Sequence, residues 1–186
     1  MIIESILSEY RRYKALAEMA VSQVKDDDLH KSFGDEGNSI AVIMTHLSGN
    51  IKSRFTAFLI EDGEKPWRRR DEEFEDRQEE RTTLLATWDE AWRVLFDAIR
   101  GLEDLDLGRI VSIRGKELTI SDALQRSLTH LSYHVGQIVL LARFHAGREW
   151  KSLSIPRGSS GEYNLNPTKE RHPDQPPNSQ RPATDR

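Results

Sequence analysis

His130 and His134 stand four residues apart inside an apolar-periodic segment. On a helix that spacing puts two imidazoles on one side, with Cβ atoms about 5–6 Å apart. Two ring nitrogens so placed can share one metal ion, although the same spacing also arises between ordinary helix-face histidines. The pair shares a narrow strip with Ser127 and Gln137, beside the apolar stripe of its segment. His46 sits at the edge of an earlier stripe, with Asn50 one turn further on. Two histidines from one helix and one from a neighbour would give a three-nitrogen site with an open position, the arrangement used by catalytic rather than structural metals. His30, His145 and His172 fall in a loop, at a helix end and in the C-terminal tail. No role is assigned to them.

Absences narrow the chemistry. The 186 residues include no cysteine, which removes disulfides, thiolate metal sites, iron–sulfur clusters and any thiol nucleophile supplied by the chain. Leu131 and Ser132 follow His130 where a His-Glu-x-x-His zinc protease carries its general base. No Glu-x-x-His occurs within the four helical segments, against a carboxylate-rich di-iron bundle. There is no glycine-rich phosphate loop and no Gly-x-Ser-x-Gly nucleophile turn, and Arg157-Gly158-Ser159-Ser160-Gly161 lacks the strand and helix a phosphate loop needs. With 27 basic and 31 acidic residues the formal charge is −4, too balanced to drive binding to nucleic acid or an anionic membrane. No apolar run approaches the ~20 residues of a membrane helix. The N-terminus lacks a basic region followed by an apolar one, so a cytoplasmic protein is the expectation.

Four amphipathic segments must position the histidines. The first repeats from Ile2 through Leu7, Tyr10 and Val21 to Val24 and stops at Asp26-Asp27-Asp28. Asn38 or Ser39 can cap the second, which repeats from Ile40 to Phe58 and Leu59. The third runs from Leu84 to Leu102, with Gly101 marking its end. The fourth opens at Thr119-Ile120-Ser121-Asp122, a capping box with Asp in place of Glu, and Gly147 marks its end. Four such helices bury their apolar faces most simply as an all-α four-helix bundle. β-branched residues on either side of Arg114-Gly115 predict a short β-hairpin over 108–118. The long charged connection over 61–77 lets the third helix run parallel to the second, against simple up-down order. Residues 150–166 carry Trp150, Leu153, Ile155, Tyr163 and Leu165, expected to pack back on the helices. Five of the seven prolines lie in 167–186, which reads as a disordered tail beyond a domain over 1–166.

Thr45-His46-Leu47-Ser48-Gly49-Asn50, together with the run from Leu128 through His130, Tyr133 and His134 to Gln137, resembles the motifs of the DinB-like superfamily. That superfamily includes the YfiT-type bacillithiol S-transferases and mycothiol-dependent maleylpyruvate isomerases. The resemblance covers about residues 1–166; the stretch from Trp150 to Gly158 is similar to a segment of one uncharacterised subfamily. It implies a four-helix bundle in up-down-down-up order, often a homodimer, with a metal triad on His46, His130 and His134 that commonly holds zinc or nickel. It further implies a small-molecule substrate and a low-molecular-weight thiol transferred onto it. The alternatives are a metal-dependent hydrolase and a non-enzymatic binding or stress-response protein.

Other residues carry paired readings. Asn50, Tyr133 and Gln137 could support the triad or touch substrate, or simply occupy a helix surface. Trp67 with Arg68-Arg69-Arg70 could recognise an anion, but the adjacent acidic run favours a solvated loop. Trp88 and Trp92 belong to the core or to a dimer interface. Arg54 could face the same cavity as His46.

Overall fold

The computed structural model describes residues 1–34 and 36–167; the tail expected over 167–186 lies, apart from Pro167, outside the described residues. Four long helices, α1 (Ile2–Val21), α2 (Ile40–Phe55), α3 (Arg81–Ile99) and α4 (Ile120–Ala146), dominate the chain. A β-hairpin of β1 (Ile110–Ile113) and β2 (Lys116–Thr119) separates α3 from α4, and a short α5 (Ser160–Leu165) follows. Among the described residues no helix is long and apolar enough to cross a membrane.

Helix α1 packs along α4, α2 packs along α3, and α2 also meets α4. Tyr10 Oη donates to the Leu124 carbonyl at 2.9 Å, and Gln23 near the end of α1 bonds the Lys151 backbone just beyond α4. An early residue of α1 thus meets the early part of α4, and a residue just past α1 meets one past the end of α4. Arg81, at the start of α3, donates to the carbonyls of Val21 and Val24, at and just beyond the end of α1. At the other end, Asp104 accepts from the backbone N–H groups of Ile2 and Ile3, satisfying donors that begin α1 and have no helical partner. Trp88 and Trp92 are fully buried and packed edge to face, so they are core residues and not an interface.

The ends of the elements follow local chemistry. Ser39 caps α2 by accepting from the Val42 N–H at 3.2 Å. Thr119 and Asp122 make the capping box of α4, and Gly147 ends it at φ 54°. The hairpin has Ile113 opposite Lys116, leaving Arg114 and Gly115 as a two-residue turn, both at positive φ as a right-twisted hairpin requires. Helix α2 stops short of the expected Phe58 and Leu59: Thr56 is extended and Ala57 takes φ 49°. Phe58 is still buried, so its apolar character marked burial rather than helix. Likewise Val24 is buried beyond the end of α1. Leu153 packs into the core and Trp150 against it, whereas Leu165 is exposed on α5, contrary to expectation.

Candidate metal centre

His46 lies on the second turn of α2, and His130 and His134 lie one turn apart on α4. Where these helices meet, one ring nitrogen from each histidine falls within 4.8 Å of the others. His46 is buried, and the other two are partly buried. Nε2 of His46 stands 3.3 Å from Nε2 of His130. Two ligands of one tetrahedral ion, with bonds of about 2.0–2.1 Å, stand about 3.3–3.4 Å apart. The donor set and this separation both fit a divalent ion, and imidazole suits zinc and nickel among others.

Protonation is arranged to match. Nδ1 of His46 lies 2.9 Å from Oε2 of Glu73. A carboxylate only accepts, so Nδ1 carries the proton and Nε2 keeps its lone pair for the centre. Nδ1 of His134 is held at 2.8 Å by Oε1 of Gln137, three residues on, which leaves its Nε2 free in the same way. His130 is pushed down to about 4, first by burial and then by its neighbours His134 and His46, with Arg68 and Arg54 adding to the effect. Burial also lowers His134, partly offset by Gln137. Both rings are therefore neutral near pH 7, the form that binds metal.

Glu73 and Arg68 escape helical periodicity because they lie in the crossover between α2 and α3, Glu73 on a single 3-10 turn over Asp71–Phe74. Arg68 grips Glu73 with two parallel bonds, Nε to Oε1 at 2.7 Å and Nη2 to Oε2 at 2.8 Å, and reaches Ser53 Oγ at 3.2 Å. Burial opposes ionisation of Glu73, but hydrogen bonds from Arg68 and His46 outweigh it and hold the carboxyl below its usual value. The Arg68 side chain is 2% exposed, so the expectation of a solvated loop fails at this residue. Phe74 completes the support, its ring centroid 4.7 Å from that of His46. One sequence signal did point here. Gly49 occupies the interior of α2, where Gly costs about 1 kcal/mol against Ala. A Cβ there would meet Glu73 Oε1 at 2.2 Å. The glycine makes room for the carboxylate.

A family model described as a protein of unknown function, DUF1572, matches residues 2–159. The chain belongs to the DUF1572 family. No curated protein and no solved structure matches it. In this DUF1572 chain the triad opens on a cavity of about 300 Å³, which Asn50 and Arg54 also line. Gln137 touches the triad directly, as described. Tyr133 is 64% exposed and contacts only the edge of the site, its ring 4.9 Å from that of His134. Trp67 is exposed and does not line the cavity, Arg69 is exposed, and Arg70 lines it. His30 bonds Asp76 and the Glu79 carbonyl away from the centre, and His145 does not join the triad. His172 is outside the described residues.

Proposed function

We propose that this chain is a DinB-like four-helix bundle in up-down-down-up order whose triad holds a divalent metal ion, zinc or nickel, and which transfers a low-molecular-weight thiol onto electrophilic small molecules. The observation that carries the reading is the convergence of three imidazole nitrogens within 4.8 Å at the wall of a cavity large enough for a small molecule. Parallel pairing of α1 with α4 and the 25-residue connection between α2 and α3 support the bundle order.

An ion on these three nitrogens would leave a position open and lower the pKa of a thiol held there. The chain's own residues supply the rest. Glu73 keeps the His46 proton on Nδ1, and Gln137 does the same for His134. Phe55, Phe58 and Phe74 give the cavity an apolar side that excludes water from the reacting groups. A hydrolase at the same site would rely on the metal alone to ionise water, because no Asp or Glu among the described residues lines the cavity to assist it. Glu73 is committed to His46 and Arg68. With no cysteine in the chain, a sulfur nucleophile must arrive as a ligand.

The test is cobalt(II) substitution followed by addition of a small thiol. A sulfur-to-metal charge-transfer band in the visible spectrum is expected. An unchanged spectrum at millimolar thiol, with water-dependent ester cleavage in its place, would establish the hydrolase instead.

A further inference from the structure

Five arginines, Arg54, Arg68, Arg70, Arg114 and Arg126, line the cavity beside the triad, and no acidic residue does. The chain as a whole is net acidic, at −4, so this is not the overflow of a basic surface. Three of the five are already paired. Arg68 is spent on Glu73, while Arg54 and Arg114 share Glu64 at 3.1 and 2.8 Å. The other two are not. Arg126 has no hydrogen-bond or carboxylate partner for its side chain among the described residues, and Arg70 comes only to 3.7 Å of the fully exposed Asp71. The Arg70 guanidinium instead lies over the Phe74 ring, 5.1 Å from its centroid, and both side chains line the cavity.

We infer that Arg70 and Arg126 form a subsite for the carboxylate of a small organic anion, whose carbon body lies against Phe55, Phe58, Phe74 and Ile113. Two guanidinium forks with no hydrogen-bonded carboxylate, in a concave site with apolar walls, match a carboxylate in both charge and shape. A volume of about 300 Å³ limits the ligand to a small metabolite and leaves no room for a polymer. The Arg54–Glu64–Arg114 cluster adds net positive charge behind the two and draws the anion inward. The inference takes its cavity from the function proposed above but does not depend on the metal.

The experiment is calorimetric titration of the full chain with succinate and with its neutral isostere succinamide, on metal-free and on zinc-loaded protein. Succinate should bind saturably to both forms and succinamide to neither. Arg70→Ala and Arg126→Ala should each weaken succinate about tenfold, the scale of one charge-assisted contact, and the double variant should abolish binding. Arg69→Ala, outside the cavity, should behave as wild type. Equal binding of succinamide, or unchanged succinate affinity in the double variant, overturns the subsite. Zinc bound stoichiometrically with no succinate binding also overturns it and leaves the metal reading intact. Succinate bound to a protein that takes up neither zinc nor nickel refutes the metal reading alone.

Discussion

The two sides of the histidine triad are held in different ways. On α4, His134 is braced by Gln137 on the same helix, a contact that forms whenever the helix does. On α2, His46 is braced by Glu73, 27 residues away, which is itself gripped by Arg68. One side is set by helical spacing, the other by a long-range fold of an irregular crossover. The consequence is an asymmetry of cost. Local braces can be lost with little effect on the fold, whereas the crossover brace is a buried ion pair whose halves depend on one another.

The largest effect expected is on the triad itself. His46→Ala, His130→Ala and His134→Ala should each abolish stoichiometric zinc after dialysis, read by metal analysis, while the helical circular dichroism persists, because the apolar core forms without metal. Retention of full zinc by any one of them would remove that residue from the centre. Glu73→Ala comes next, since it strands the buried Arg68 charge and should cost about 3–5 kcal/mol in urea unfolding. The double variant Arg68→Ala/Glu73→Ala should recover part of this loss; an additive result would show that the pair is not coupled.

A pair of glycines sharpens the contrast further. Gly49→Ala should lower the melting temperature and weaken zinc by about 10–100-fold, because its Cβ displaces a carboxylate already held at both ends. Gly136→Ala, on α4 with nothing within 4 Å of the added carbon, should stabilise by about 0.5–1 kcal/mol through helix propensity alone. Equal and favourable shifts for both would mean that Glu73 does not need the space. The smallest effects belong to the local brace: Gln137→Ala should weaken zinc by no more than about tenfold, and His145→Ala should leave it unchanged.

Legibility in the sequence follows the same division. Helix α4 could be read almost whole, from the Thr119–Asp122 box to Gly147, because caps and apolar periodicity are local chemistry. The hairpin was equally plain from Arg114-Gly115 between β-branched residues. The closeness of His46, His130 and His134 is legible in the sequence because two regular helices place them. Glu73 and Arg68 are not, since an acid and a base in a charged run look alike whether solvated or buried, and only a partner in another element distinguishes them. The end of α2 is not legible for a related reason: Phe58 is as apolar as a helix-face residue but is buried from a loop.

Asp62 gives the crossover a second anchor. Its carboxylate accepts from Ser112 Oγ at 2.5 Å and from the backbone N–H groups of Glu64, Arg114 and Gly115. Gly63 adds a bond from its N–H to the Ser112 carbonyl at 2.8 Å. One side chain thus stitches the start of the crossover to the turn of the hairpin, 52 and 53 residues further along the chain. The cavity wall that carries Arg54 and Arg114, with Glu64 bridging them, therefore behaves as a single panel. Amide protons at 64, 114 and 115 share one acceptor group and should exchange with solvent in concert, at a rate set by one opening event.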